Sequence, residues 1–169
     1  MGLDFGLYYK KKNEQIPEED NAYFDWMNKH ELCYGRKSWE LVHILNLPVD
    51  DEDEDPIVNK EDWDNLISAM KSFLNGKDSS YFSEIGDCYA ELEKYYELDI
   101  EELGVSPDPD VVNAIIQYEV WYDKTFNDET PTLGYDFALG YLQDFYNADK
   151  QVQKYLNDDE YEVRAYISF

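Results

Sequence analysis

Two cations that could bind an anion, Arg36 and Lys37, lie close in sequence to a histidine that could transfer a proton, His43. Trp39 and His43 are four positions apart, so on a helix they share a face. One interpretation is an anion pocket in which His43 acts as acid or base. The alternative is that Arg36 and Lys37 pair with nearby carboxylates and His43 is a partly buried helix residue. We favour the alternative and predict no catalytic residue, because His30 is the only other histidine and no nucleophile signature occurs.

The run DDEDED at residues 50–55 is the other stretch that invites chemistry, as a cation-binding loop. Counted from Asp50, acidic residues occupy positions 1, 3, 5 and 12, as in a calcium loop of the EF-hand type. The sixth position must be glycine but is Asp55, and Pro56 follows, so the required sharp turn is absent. We therefore predict no dedicated metal site. Pro48 and Pro56 flank the run and indicate a loop, which we expect to be mobile.

Charge is the extreme feature of the composition, with 39 acidic against 14 basic residues and a net charge of −25. Such a surface repels nucleic acid and anionic membranes and attracts basic partners, which disfavours direct DNA or RNA binding. A compact domain of this length is about 40 Å across, and about 40 Å of B-DNA carries roughly 24 charges. The chain therefore has the charge that a mimic of DNA needs, although acidity for solubility alone is the simpler interpretation.

The length of 169 residues predicts a single domain over residues 1–169, and 43% apolar residues are ample for a core. Prolines near residues 103–110 mark the best position for a subdomain boundary. Cys33 and Cys88 make no disulfide framework, and no cofactor-binding motif occurs. The opening residues lack a signal-peptide pattern and no apolar run is long enough to span a bilayer, so we expect a cytosolic protein.

Alternating apolar residues at both ends of the chain predict strands at residues 3–9 and 161–169, whose apolar faces would let them pair antiparallel. Apolar spacing between them is helical. The predicted helical stretches are 21–32, 36–46, 59–75, 80–96, 108–126, 132–147 and, as a separate short helix, 149–156. Asn59 is placed to cap its helix, Gly76 to end it, and Pro109 to open another. The predicted fold class is α+β, mostly helical, with a small antiparallel sheet that pairs the terminal strands.

Three segments in roughly the first 75 residues resemble a family of small phage and mobile-element proteins that open with Met-Gly-Leu-Asp. The matching positions are Met1–Asp4, then Tyr34, Arg36, Lys37 and His43, then Val58–Leu66. The family has no assigned activity that could be transferred. The resemblance implies a phage, prophage or integrated element, and therefore the cytosol of a bacterial host.

Charge and resemblance together predict a non-enzymatic inhibitor of the anti-restriction or anti-CRISPR type. It would bind the nucleic-acid site of a host defence protein, by DNA mimicry, without a cofactor and without contacting nucleic acid or membrane. The carboxylates predicted to form its binding surface are Asp50, Asp51, Glu52, Asp53, Glu54, Asp55, Glu61, Asp62, Glu84, Asp87, Glu91, Asp123, Asp128 and Glu129. Exposed aromatic residues would prolong binding, and the candidates are Trp121, Tyr122 and Tyr146. Two alternatives stay open: an acidic interaction module with a different basic partner, and a small enzyme built on Arg36, Lys37 and His43.

Overall fold

A computed structural model describes residues 4–36, 39–48, 54–97, 109–126 and 136–168 of the chain. The elements in chain order are β1 (Asp4–Lys11), α1 (Asp20–His30), β2 (Glu31–Arg36), α2 (Trp39–Ile44), α3 (Lys60–Leu74), α4 (Ser80–Glu97), α5 (Pro109–Phe126), α6 (Asp136–Leu156) and β3 (Tyr161–Ser168). The fold is α+β, as predicted, with helices predominating.

The three strands form one antiparallel sheet in the order β2-β1-β3. The predicted pairing of the terminal strands is confirmed: β1 and β3 run side by side from Asp4 opposite Ser168 to Lys11 opposite Tyr161. Because side chains alternate between the faces of a strand, Phe5 and Leu7 enter the core while Tyr8 and Lys10 lie on the opposite face.

The sequence-based prediction of the first helix is wrong at its C-terminal end. The helix expected over 21–32 ends at His30, and strand β2 begins at Glu31 with no loop between them. β2 pairs with β1, including Cys33 opposite Leu7, and a bulge follows Leu7. The helical spacing of Leu32 was therefore misleading, because the backbone hydrogen bonds of a strand neighbour override local propensity.

Helix boundaries elsewhere follow the predicted signals, with two exceptions. The helix predicted over 36–46 is the shorter α2, Trp39–Ile44, and Arg36 belongs to strand β2. The Asn59 side chain accepts a hydrogen bond from the Glu61 backbone N–H at 2.8 Å, which caps α3 as expected. Gly76 has a φ of +85° just beyond the end of that helix, a conformation suited to glycine. The two helices predicted over 132–147 and 149–156 are instead the single helix α6.

Residue contacts divide the chain into two compact units, one formed by Met1–Ser68 with Asp144–Phe169 and the other by Ala69–Gln143. The core of the first unit includes Phe5, which stacks on Phe145 with ring centroids 5.4 Å apart. The core of the second includes Trp121, whose indole N–H donates to the Ala69 carbonyl at 3.3 Å. Residues 103–108 of the predicted boundary lie outside the described residues, so the domain assignment stays a prediction.

Candidate functional site

Four of the carboxylates predicted to bind a partner lie at the start of α3 and along α4. Glu61 and Asp62 occupy the first turn of α3, in the first unit, with Glu61 exposed and Asp62 half-buried. Glu84 and Asp87 are exposed on α4, in the second unit. Within the described part of the chain, none of these four carboxylates forms an ion pair. Their charges are therefore available to a basic partner.

The acidic run is described only at its C-terminal end, since residues 50–53 lie outside the described ranges. Against the expectation of a mobile loop, that end is anchored. The Pro56 carbonyl accepts a hydrogen bond from the Ala165 N–H, and the Val58 N–H donates to the Val163 carbonyl, each at 2.9 Å. Residues 56–58 thereby pair with the outer edge of β3 and hold Glu54 and Asp55 beside the sheet.

The remaining predicted contact residues are placed less uniformly. Asp128 and Glu129 lie outside the described residues, as do the side chains of Glu91, Tyr122 and Asp123. Trp121 is only 8% exposed and packs in the core, so its ring is not available at the surface. Tyr146 is half-buried.

Of the basic cluster of Arg36, Lys37 and His43 on which the enzyme alternative depends, the structure describes the side chain of Arg36 alone. Arg36 is the last residue of β2 rather than part of a helix, and its Nε lies 3.1 Å from Asp4 Oδ1 in an exposed ion pair. Lys37 and the side chain of His43 lie outside the described residues. The pairing of Arg36 agrees with the non-catalytic interpretation of this residue.

A polar groove of about 1000 Å³ lies beside the first and last strands of the first unit. Its lining residues are Tyr8, Lys10, Glu14, Gln15, Ile16, Pro17, Glu18, Glu19, Glu54, Asp55 and Arg164. Lys10 lies directly opposite Glu162, and Tyr8 directly opposite Arg164, in the β1–β3 pairing. The same face of the sheet therefore carries two cations and a carboxylate side by side.

These charges form one connected network. Glu162 Oε1 lies 3.2 Å from Lys10 Nζ and accepts a hydrogen bond from Arg164 Nε at 2.6 Å. Arg164 Nη1 also donates to Glu54 Oε2 at 3.1 Å and to the Asp55 carbonyl at 2.8 Å. Burial alone would raise the pKa of Glu162, but the hydrogen bonds from Arg164 and Lys10 outweigh it and the pKa is lowered. Glu162 is therefore a firmly ionised partner for both cations.

Asp55 is in the opposite situation. The Tyr8 hydroxyl donates to Asp55 Oδ2 at 2.9 Å, and this is the carboxylate's one hydrogen bond among the described residues. Burial raises the pKa of Asp55, and the bond from Tyr8 and the charge of Arg164 offset only part of that rise. Burial together with the neighbouring Asp55 charge also raises the pKa of Tyr8. The ionised form of Asp55 is therefore under-compensated, unlike that of Glu162.

The groove was not predicted from the sequence, although one signal for it was present. Tyr8 and Lys10 on the first strand, and Glu162 and Arg164 on the last, alternate with the apolar residues that marked those strands. Antiparallel pairing of the strands puts both pairs on one face, but the register that sets Lys10 against Glu162 is needed to see the network.

No set of three or more His, Cys, Asp or Glu side chains converges as metal ligands among the described residues, and no described helix is long and apolar enough to cross a membrane. The sequence matches no protein-family model, no curated protein and no solved structure.

Proposed function

We propose that this chain is a non-enzymatic acidic protein that binds the basic, nucleic-acid-binding surface of another protein and so keeps nucleic acid away from it. The observation that carries the proposal is the imbalance at the described surface: Glu61, Asp62, Glu84 and Asp87 have no cationic partner, while the net charge is −25. Such a charge accelerates encounter with a basic partner and opposes encounter with DNA.

The placement of the cations supports the same conclusion. Lys10 and Arg164 are committed to Glu162 and Glu54 within the first unit, and Lys60 pairs with Asp64 one turn along α3. These cations therefore neutralise internal or neighbouring carboxylates and leave the acidic helix positions uncompensated. Uncompensated like charges lower folding stability, so a benefit to folding does not explain an acidic surface of this size, and the proposal assigns it to binding.

The resemblance of the N-terminal segments to phage and mobile-element proteins adds a biological context. We propose that the partner is a nuclease or other nucleic-acid-binding protein of a bacterial defence system, of the restriction or CRISPR type. An inhibitor of such a protein gains from occupying its DNA channel, because the channel is already built to attract negative charge.

Affinity capture from a bacterial lysate, over a series of salt concentrations and with duplex DNA as competitor, tests the proposal. We expect a nucleic-acid-binding protein to be retained, to be released as salt rises, and to be displaced by DNA. Partners that DNA does not displace would favour the interaction module with a different basic partner. Failure to recover any nucleic-acid-binding or defence protein, at low as well as moderate salt, would refute the proposal.

Charge-neutralising variants then locate the surface. Glu61→Gln with Asp62→Asn tests the first unit, and Glu84→Gln with Asp87→Asn tests the second. We expect the variant at the binding surface to slow association with the captured partner, because exposed charges act mainly on the encounter rate. The matched control is Asp159→Asn with Glu160→Gln, which removes the same two charges from an exposed turn before β3.

A further inference from the structure

The groove beside β1 and β3 holds an excess of negative charge after its internal pairs are counted. Lys10 and Arg164 are matched by Glu162 and Glu54. Glu18 and Glu19 are exposed at the groove and form no ion pair within the described residues. A small anion is therefore repelled, and a cation is attracted.

Two unused hydrogen-bonding groups inside the groove point to a ligand that both donates and accepts. Asp55 Oδ1 makes no hydrogen bond among the described residues, so it can accept from a cation. Arg164 bonds through Nε and Nη1, but its Nη2 donates no hydrogen bond to any described residue, although only 13% of the side chain is exposed. A peptide meets both needs, since its backbone carbonyl accepts from a guanidinium while its basic side chain donates to a carboxylate.

The groove also has an apolar wall. Ile16 and Pro17 are half-buried in the segment between β1 and α1 and contribute to the lining of the groove. Lysine and arginine side chains cover apolar surface with their methylene stems while the charged head stays with a polar partner. Of the two, arginine presents a planar fork of donors that matches a carboxylate, and it carries less hydration to be removed.

We propose that this groove binds an arginine-bearing segment of the partner protein, with the guanidinium at Asp55 and the Glu18–Glu19 rim and a backbone carbonyl at Arg164. The inference rests on the proposed function, because it names the chemistry that the acidic protein recognises on its basic partner. It also separates two roles: the exposed helical carboxylates steer the encounter, and the groove holds one arginine in a defined place.

The test uses the full chain labelled with ¹⁵N and titrated with the capped tripeptide acetyl-Gly-Arg-Gly-amide at 0.15 M salt, where charges more than about 8 Å apart are largely screened. We expect saturable shifts of the backbone amides of residues 15, 16, 18, 19, 54 and 55, and none with the neutral citrulline peptide. Glu18→Gln with Glu19→Gln is expected to weaken binding about tenfold, as the loss of two surface ion pairs would. The control Asp159→Asn with Glu160→Gln is expected to weaken it less than twofold.

Shifts spread over α3 and α4, or equal weakening by the control variant, would overturn the groove as the binding site while leaving the acidic-surface function intact. Absence of any saturable binding by the arginine peptide would also overturn it. Conversely, peptide binding in the groove combined with a captured partner that DNA does not displace would uphold the groove and refute the proposed function. Because Glu18 and Glu19 are exposed, the variant keeps the fold, and its ¹⁵N spectrum verifies this directly.

Discussion

Replacing Glu162 by glutamine isolates the energy of the network that joins the first and last strands. The carboxylate is 11% exposed and serves two cations, Lys10 at 3.2 Å and Arg164 at 2.6 Å. Removing one partner of a buried ion pair costs about 3–5 kcal/mol. Here each cation keeps another acceptor, since Lys10 also bonds to the Glu14 carbonyl and Arg164 to Glu54. We therefore expect a smaller loss, about 2–3 kcal/mol, typical of losing a hydrogen bond to a charged group.

Urea unfolding followed by tryptophan fluorescence at pH 7 measures this loss, and thermal unfolding should show a fall in Tm of about 4–12 °C. The pKa of Glu162 is lowered in the folded protein, so its stabilising effect is complete above the pKa of an unfolded glutamate. It is lost as the pH falls through the lowered value. The difference in the free energy of unfolding between Glu162→Gln and the wild type should therefore have its full size at pH 7. It should disappear in acid, below about pH 4.

The matched control is Glu160→Gln, the same chemical change at an exposed residue just before β3 that forms no ion pair within the described chain. It should alter the free energy of unfolding by less than about 0.5 kcal/mol. A loss for Glu162→Gln no larger than that of the control would show that the cations gain nothing from this carboxylate. A difference that persisted unchanged at low pH would show that packing, rather than ionisation, is responsible.

Three further predictions concern single residues. Asp55→Asn should leave the stability at pH 7 unchanged or raise it. The raised pKa of Asp55 means that its ionised form costs stability above that pKa, and the amide oxygen of asparagine still accepts the hydrogen bond from Tyr8. A loss of more than about 1 kcal/mol in a urea titration would contradict this. Gly6→Ala should destabilise by about 1–3 kcal/mol, because a Cβ there overlaps the Tyr166 ring, and adding Tyr166→Ala in a double-mutant cycle should recover part of the loss. Gly76→Ala should cost about 1 kcal/mol, because the φ of Gly76 is +85° and an added Cβ would gain no contact there. Gly140→Ala, inside α6, should instead stabilise the protein by about 0.5–1 kcal/mol. Changes in Tm of the same sign for both variants would refute the backbone argument.

The parts of the fold that the sequence predicted correctly are those governed by short-range patterns. Alternation marked the terminal strands, and Asn59, Gly76 and Pro109 marked helix ends, because capping and left-handed φ depend on one or two residues. Strand β2 was missed because its identity comes from pairing with β1, which no local spacing records. The continuity of α6 through Asp149, where two separate helices were predicted, was missed for a related reason. The Asp149 carboxylate accepts a hydrogen bond from the indole N–H of the buried Trp63 at 2.8 Å, a contact that the local sequence does not show.

The candidate binding residues also fall into a part that the sequence predicts and a part that it does not. Exposed positions such as Glu84 and Asp87 follow from helical spacing and composition. The groove does not, because it depends on the register between residues far apart in sequence. Lys10 is one of three consecutive lysines, and the sequence does not show that its strand partner Glu162 lies beside it in its buried position. The fate of Asp55 depends likewise on a tyrosine 47 positions away.

The pairing of β1 with β3 also sets the order in which the protein can fold as it is synthesised. The ribosome adds Ser168 roughly 160 residues after its strand neighbour Asp4. Until then the β3 side of β1 lacks its partner, while all of Ala69–Gln143 has already been made. Contacts between residues so distant in sequence form slowly, because a long loop must close before they contribute. One edge of β1 therefore stays unpaired until β3 has been made, and deleting β3 should destabilise β1 directly.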